Sequence, residues 1–251
     1  MPVLSLVTQP PVVFPSISGL QIRLNAENQS SLYDSVSGGN PVVDGGSVGR
    51  WENQQSSSFH ATQATASYRP IYRRYKNVGG VYFDGIDDSL IGSFPSMAAQ
   101  TLCVFGLLHI AGSSANGRLF TQRDSAGSGD NTQTNHYIPF LRQSLTATNI
   151  ISFAGGGYRS SLTQSGRADN IYWMAFHTGS FLSQRANGVT STPVSHTYGT
   201  YNQYSLCSDF SNANPFNALL FEVCVFNKAL SGSEITSMET YYKQKFGWAG
   251  F

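Results

Sequence analysis

Apolar and polar residues alternate in short runs along this chain, and turn-forming residues separate the runs. In the first run, the apolar residues Leu20, Ile22 and Leu24 are separated by polar ones, as a half-buried β-strand requires. Further runs follow at intervals of roughly ten residues, a spacing typical of all-β sandwiches and barrels. Asn187-Gly188, between two of these runs, is a strong signal for a tight hairpin turn because both residues tolerate positive φ. The pattern therefore predicts an all-β protein.

The segment from Gly79 to Gly92 shows strand and turn signals most clearly. A β-branched and aromatic run leads into Asp84-Gly85, and a second short strand follows Asp88, so we predict a hairpin here. With Asp87, the turn carries three carboxylates, which could offer hard oxygen ligands to calcium. Aspartates in such turns also accept hydrogen bonds from backbone amides. We favour this second interpretation and predict no cofactor, with these three aspartates as the candidate metal ligands if calcium does bind.

One segment near the C terminus has helical periodicity. Ser231 and Glu234 form a capping box, in which each side chain satisfies a backbone donor of the first helical turn. The apolar residues that follow recur at helical spacing: Ile235, Met238, Tyr242 and Phe246. A single helix of this length is unstable alone. We therefore predict a helix over residues 233–246 that packs on the β-sandwich.

Residues 1–18 are apolar but contain four prolines. Proline at this density prevents a helix and favours an extended arm. Its apolar residues, among them Val12, Val13 and Phe14, are too numerous for a free tail in water, so they must pack on this domain or on a neighbour. We therefore divide the chain into an extended arm, residues 1–18, and a sandwich domain, residues 19–251. We expect the arm to mediate self-association or docking onto an assembly.

Composition and charge indicate which classes of binding partner the chain lacks the features to recognise. The formal net charge of +1 provides no electrostatic basis for binding nucleic acid, and no apolar run approaches the length of a transmembrane helix. We therefore predict neither a nucleic-acid nor a membrane partner. The N terminus lacks a basic start followed by an apolar core, so we predict no signal peptide and synthesis in a cytoplasm.

Two further residue groups call for a structural interpretation. Cys103, Cys207 and Cys224 lie inside apolar runs, so we predict free buried thiols, with a Cys207–Cys224 bridge as the alternative. Basic residues cluster once: Arg69, Arg73, Arg74 and Lys76. For this cluster we predict a solvated loop with contacts from arginine to backbone carbonyls.

Several motifs occur in a fixed order: Trp51, Arg69-Pro70, the sequence FDGIDDSL, the predicted hairpin FLSQRANGV, and FEVCVFNKALSGSEI before the helix. In this order they resemble the concanavalin A-like family, and more narrowly the laminin G-like or pentraxin-like jelly rolls of bacterial surface and bacteriophage proteins. The likeness runs from about Leu20 to Trp248. It implies a two-sheet antiparallel jelly-roll sandwich with one C-terminal helix beside the strand of Glu222.

This family includes lectins, glycan hydrolases, lyases and structural modules, so the fold alone does not determine function. Its hydrolase branch carries paired glutamates on one strand in a Glu-x-Asp-x-x-Glu pattern. That triplet does not occur in this sequence, and Glu222 has apolar neighbours, so we interpret it as a buried glutamate satisfied by backbone donors. We therefore predict no catalytic residues and no enzyme.

The function favoured by the sequence is a non-catalytic virion structural protein, such as a bacteriophage head-decoration or fibre protein. It would be made in the host cytoplasm, reside in the virion, and contact other virion subunits or further copies of itself. The first alternative is a glycan-binding lectin module that stacks sugars on tyrosines: Tyr158, Tyr198, Tyr201 and Tyr204. The second alternative is a divergent polysaccharide-cleaving enzyme.

Overall fold

The fold is that of a computed structural model, which describes residues 12–108, 117–123, 137–138, 149–154, 158–163, 171–195, 201–212 and 214–246. These residues form strands, one α-helix (α1, Gly232–Phe246) and two short 3-10 helices (Gln29–Ser31 and Ala66–Tyr68). The strands are β1 (Leu20–Asn25), β2 (Leu32–Tyr33), β3 (Arg50–Trp51), β4 (Ala61–Thr62), β5 (Ile71–Tyr75), β6 (Val78–Asp84), β7 (Leu90–Ser93), β8 (Gln100–Leu108), β9 (Phe120–Arg123), β10 (Tyr137–Ile138), β11 (Asn149–Ala154), β12 (Tyr158–Thr163), β13 (Ile171–His177), β14 (Phe181–Ala186), β15 (Val189–Thr190), β16 (Val194–Ser195), β17 (Gln203–Leu206) and β18 (Asn217–Phe226).

The strands form two large antiparallel sheets and a small one. The nine-stranded sheet has the order β15-β14-β13-β8-β18-β6-β5, with β1 also paired to β18 and β16 to β14. The six-stranded sheet has the order β2-β3-β4-β7-β17-β9, and β10, β11 and β12 form a three-stranded sheet. The predicted all-β sandwich with one C-terminal helix is thus confirmed.

The main core lies between the two large sheets and follows the alternation of their strands. The nine-stranded sheet contributes Leu24 and Trp173 to it, and the six-stranded sheet contributes Trp51, Phe120 and Leu206. All five side chains are fully buried. Side chains of this size contribute about 1.5–3 kcal/mol each on burial, so this layer holds the sheets together.

The helix α1 covers the opposite, outer face of the nine-stranded sheet. Its residues Met238, Tyr242 and Phe246 are buried there, and Phe105 of β8 stacks on Tyr242 and Phe246 with centroid distances of 4.8 and 4.3 Å. At the start of the helix, the backbone amide of Ser231 donates to the Glu234 carboxylate over 2.9 Å. The predicted helix is therefore confirmed. Among the described residues, α1 and the two 3-10 helices all lack the length and apolar character of a membrane span.

The segment after Asp84 differs from the predicted hairpin. Strands β6 and β7 belong to different sheets, so residues 84–89 cross from the nine-stranded to the six-stranded sheet instead of pairing two neighbours. Gly85, with a φ of +78°, redirects the chain at this point, and a Cβ there would lie 2.8 Å from the Asn217 side chain. Asp88 and Ser89 become buried as the chain enters the second sheet.

The described end of the N-terminal arm packs on this chain's own domain. Val12 and Phe14 contact the apolar cluster under α1, whereas Val13 is 78% exposed. The Phe14 ring lies edge-on to Tyr241, with centroids 5.1 Å apart, and the Arg23 guanidinium lies 4.0 Å from its centroid. Residues 1–11 fall outside the described part of the chain, and a role for the arm in assembly stays a prediction.

Candidate functional site

Two of the tyrosines predicted to stack on glycans are buried in the main core, which corrects that assignment. Tyr204 is 1% exposed, its ring stacks on Phe120 at 5.5 Å, and its hydroxyl donates to the backbone carbonyl of Phe59 over 2.9 Å. Burial raises the pKa of Tyr204 well above its ordinary value. Tyr201 is 3% exposed. Neither ring can present a face to a sugar, and Tyr198 and the side chain of Tyr158 lie outside the described residues.

The three carboxylates of Asp84, Asp87 and Asp88 come together at the sheet crossing. Their ligand oxygens lie within 4.8 Å of one another, a spacing that a hard cation such as calcium could bridge. The turn itself already uses two of them. Asp84 Oδ1 accepts the Ile86 amide over 2.8 Å, and Asp88 Oδ2 accepts the Asp84 amide over 2.9 Å. The role favoured from the sequence, acceptance of backbone amides, is therefore present in the fold.

Asp88 is the most buried carboxylate of this group. It is 6% exposed, and burial raises its pKa to about 6. The amide of Asp84 opposes this shift, and the neighbouring Asp84 and Asp87 carboxylates add to it. Compared with the unfolded chain, the folded state therefore favours the protonated, neutral form of Asp88.

The stability contributed by Asp88 should consequently be complete below the pKa of an unfolded aspartate, about 3.9, and be lost as pH rises through about 6. A difference of about two pKa units corresponds to about 3 kcal/mol. Asp88→Asn keeps an acceptor for the Asp84 amide and removes the charge. We expect this variant to be more stable than the parent at pH 7.5 and equal to it at pH 4, measured by urea unfolding. Asp44→Asn, at an exposed aspartate, is the control, and a variant–parent difference that does not change with pH would contradict the prediction.

Glu222, the one strand-embedded carboxylate considered from the sequence, is fully buried between β18 and α1. Its carboxylate accepts Arg23 Nε at 2.6 Å, Lys245 Nζ at 3.0 Å and the Tyr241 hydroxyl at 3.0 Å. The donors are thus side chains, not the backbone groups predicted. The backbone of β18 is hydrogen-bonded to its neighbouring strands, and the Glu222 carboxylate faces α1. Two cations balance this charge and the hydroxyl donates a further hydrogen bond, so Glu222 connects β1, β18 and α1.

The outer face of the six-stranded sheet is a polar surface that the sequence did not reveal. One register row crosses all six strands, and each of its residues is next in sequence to a residue of the main core. In order across the sheet, this row consists of Tyr33, Arg50, Thr62, Ile91, Ser205 and Thr121. The last two are buried, and beside them the next outward row continues with Gln203 and Arg123.

An arginine stacked on an aromatic ring marks each end of this surface. Arg50 lies 4.3 Å from the Tyr33 ring centroid, and Arg123 lies 4.0 Å from that of Phe210. Arg123 Nε also donates to Gln203 Oε1 over 2.7 Å. We call this surface the outer strip, and it consists of Tyr33, Arg50, Thr62, Ile91, Gln203, Arg123 and Phe210. Five strand spacings of about 4.8 Å give it a length of about 24 Å.

The outer strip offers the contacts that sugars use. A sugar ring presents hydroxyls at its edge and C–H groups on its faces. The strip supplies hydrogen-bonding groups from threonine, glutamine and arginine, and aromatic side chains with an apolar body. The side chains of the strip are half-buried and follow one another across the sheet, so their arrangement suits an extended chain better than a compact small molecule.

Comparison with known proteins shows similarity at the level of structure. No protein-family model matches the chain, and no curated protein sequence matches it. A sialidase from Trypanosoma rangeli, solved with sialic acid, superposes with a TM-score of 0.61 at 14% identity, over 92% of this chain and 34% of the sialidase. An α-L-arabinofuranosidase of family GH54 gives a TM-score of 0.59 at 12% identity, over 78% of this chain and 50% of that one.

A third structure matches over nearly its whole length. Domain 4 of AbnA, a GH43 extracellular arabinanase from Geobacillus stearothermophilus solved with arabinotriose, gives a TM-score of 0.54 at 14% identity. The match covers 87% of this chain and 97% of that domain. By contrast, the chain spans about one third of the length of the sialidases it matches.

These comparisons contradict the expected virion structural protein. The matched structures come from glycoside hydrolases, one of them a single domain solved with an oligosaccharide, and they show no link to a bacteriophage. The prediction that the chain is not an enzyme is contradicted as well, because the matched structures come from hydrolases. At 12–14% identity, what the chain shares with these proteins is its fold, a two-sheet antiparallel β-sandwich.

Proposed function

We propose that this chain is a glycan-binding domain of the kind that accompanies glycoside hydrolases. The observation that carries the proposal is the match to 97% of an arabinanase domain solved with arabinotriose. That match pairs this chain with a whole domain, whereas the sialidase match covers only part of a longer enzyme. The narrower likeness to laminin G-like and pentraxin-like jelly rolls belongs to the same proposal, and the order of the sequence motifs supports it.

The outer strip is the surface to which we assign the glycan. Its polar groups are held by neighbouring side chains before any ligand arrives, as the bond from Arg123 to Gln203 and the stacking of Arg123 on Phe210 illustrate. Preorganised side chains lose less conformational entropy on binding than free ones. At the other end, Arg50 is held by Glu52 at 3.1 Å and by the Val36 carbonyl at 3.1 Å. The two ends are therefore rigid anchor points for a chain of sugars.

A glycan array that includes arabinan oligosaccharides, followed by calorimetric titration of the best binders, tests the proposal. We expect Arg123→Ala to weaken the best interaction at least about tenfold, equivalent to about 1.4 kcal/mol, because it removes a hydrogen-bond donor and frees Gln203. Lys243→Ala, on the exposed side of α1, is the control and should bind as the parent does.

Two results would contradict the proposal. The first is an array without any bound glycan at millimolar protein concentration. The second is binding that Arg123→Ala and Lys243→Ala leave equally intact, which would remove the outer strip from the interaction. The same incubations should be checked for released reducing ends, because the matched proteins include hydrolases.

A further inference from the structure

We propose that the outer face of the β5–β6 hairpin binds an acidic polysaccharide, one whose sugars carry carboxylate or sulfate groups. This surface lies on the nine-stranded sheet and is separate from the outer strip on the six-stranded sheet. We call it the hairpin platform, and it consists of Arg73, Tyr75, Lys76 and Tyr82. The choice of a glycan as the ligand class rests on the proposed function, whereas the charge of the ligand follows from the platform itself.

Strand alternation places the platform on one face. Tyr72 of β5 and Val81 of β6 point into the main core, so Arg73 and Tyr75 on β5 and Tyr82 on β6 lie on the opposite face. On that face Tyr82 packs against the cluster under α1. The tight turn between the strands is formed by Lys76 and Asn77, with φ values of +47° and +68°. Strand β5 is the last named strand of its sheet, and residues 45–48 pair with its outer edge, for example through the Tyr72 amide and the Gly46 carbonyl at 2.8 Å.

The cations of the platform are not neutralised. Arg73 lies 4.8 Å from the Tyr82 ring centroid, and Lys76 lies 5.3 Å from that of Tyr75. Within the described residues, neither cation makes an ion pair or a hydrogen bond through its charged group. By contrast, six other described cations are each paired with a carboxylate: Arg23, Arg50, Arg118, Arg185, Lys228 and Lys245.

The other two basic residues of the cluster make the predicted contacts to backbone carbonyls, but Arg74, like Arg73, lies on strand β5 and not in the predicted loop. Arg69 donates to the backbone carbonyls of Gln63, Asp34 and Ala64, and Arg74 donates to that of Asn77. These two arginines therefore hold loops in place. Arg73 and Lys76 do not share that role, which leaves them available to a ligand.

The chemistry of the platform selects an acidic sugar polymer. Ammonium and guanidinium groups make strong charge-assisted hydrogen bonds to carboxylate and sulfate oxygens. Tyr75 is 38% exposed, so its ring edge and hydroxyl can contact the sugar beside the acidic group. A nucleic acid is the competing polyanion; the choice of a sugar polymer over it rests on the proposed function, and the DNA probe below tests that choice.

The test measures binding of three soluble polysaccharides in low salt: polygalacturonate with carboxylates, heparin with sulfates, and neutral arabinan. A DNA duplex is the fourth probe. We expect at least one acidic polysaccharide to bind, and we expect the double variant Arg73→Gln/Lys76→Gln to weaken that binding at least about tenfold. Glutamine removes the charge and keeps an unbranched polar side chain, although a shorter one. Added salt should weaken the interaction of the parent, because exposed charges are screened.

Lys243→Gln removes one positive charge from the exposed side of α1 and is the matched control for Lys76→Gln. We expect Lys243→Gln to bind within twofold of the parent. If Lys76→Gln and Lys243→Gln lost equal affinity, the overall charge of the protein would explain the binding, and the platform would be overturned. DNA bound as tightly as the acidic polysaccharide would overturn the assignment of the ligand class. Thermal melts of all variants establish that the fold is intact.

The outcomes separate this inference from the proposed function. If arabinan binds and the hairpin variants change nothing, the proposed function holds and the platform is overturned. If an acidic polysaccharide binds through the platform while Arg123→Ala has no effect on any glycan, the platform holds and the outer strip is overturned. A chain that binds none of the three polysaccharides overturns the platform, and the proposed function is overturned as well only if the glycan array is also empty.

Discussion

Replacement of Met238 by aspartate is expected to lower the free energy of unfolding by about 4 kcal/mol. Met238 is fully buried in the apolar cluster between α1 and the nine-stranded sheet. An aspartate there would either place an unpaired carboxylate among apolar side chains or take up a proton at neutral pH, and both are unfavourable. For a protein of this size we expect a decrease of about 10 °C in the melting temperature.

Met238→Leu is the matched control, because it preserves side-chain volume and apolarity and should change stability by less than about 1.5 kcal/mol. Urea unfolding followed by circular dichroism and thermal melting measure both variants. If Met238→Asp melted within a degree or two of the parent, the packing of α1 on the sheet would have to be abandoned.

Replacement of Glu222 by glutamine is the second large effect that we expect, a loss of about 3–5 kcal/mol. The carboxylate is fully buried, and Arg23 and Lys245, its two cationic partners, are only 17% and 10% exposed. Glutamine is nearly the same size as glutamate, so little packing is lost. The loss arises because two largely desolvated cations are left without their shared counter-ion.

The control for this variant is Glu27→Gln. Glu27 also contacts Lys245, at 3.2 Å, but it is 36% exposed at the rim of the cluster. An exposed ion pair contributes at most about 1 kcal/mol, so this variant should remain close to the parent. Equal destabilisation by the two substitutions would show that burial does not set the strength of the Glu222 contacts. Urea unfolding at pH 7 is the measurement for both.

Local patterns in the sequence were sufficient to predict the elements that depend on local geometry. The alternation from Leu20 to Leu24 predicted β1, and the capping box with the apolar repeat through Phe246 predicted α1, because side-chain periodicity and backbone capping act within a few residues. The crossing after Asp84 could not be predicted in this way. A turn that pairs two strands and a turn that changes sheets share the same Asp-Gly signal, and only packing decides between them.

The burial of Tyr204 depended on the neighbouring strand β7. Its neighbour across the strands is Gly92, and a Cβ at that position would collide with the Tyr204 ring. The absent side chain makes the space into which the ring fits, and the two residues are too far apart in sequence for their pairing to be foreseen. The outer strip could not be predicted for the same reason. Its residues extend from Tyr33 to Phe210, and strand register alone aligns them.

The position of β18 has a consequence for the order of folding. It is the last strand of the described chain, yet it lies at the centre of the nine-stranded sheet, with β8 along one edge and β6 and β1 along the other. Arg23 on β1 meets Glu222 on β18 across 199 positions of sequence. Contacts between such distant residues form slowly, because a long loop must close first. During synthesis, β8, β6 and β1 therefore remain without their common neighbour until β18 has left the ribosome, and the nine-stranded sheet cannot be completed before that point.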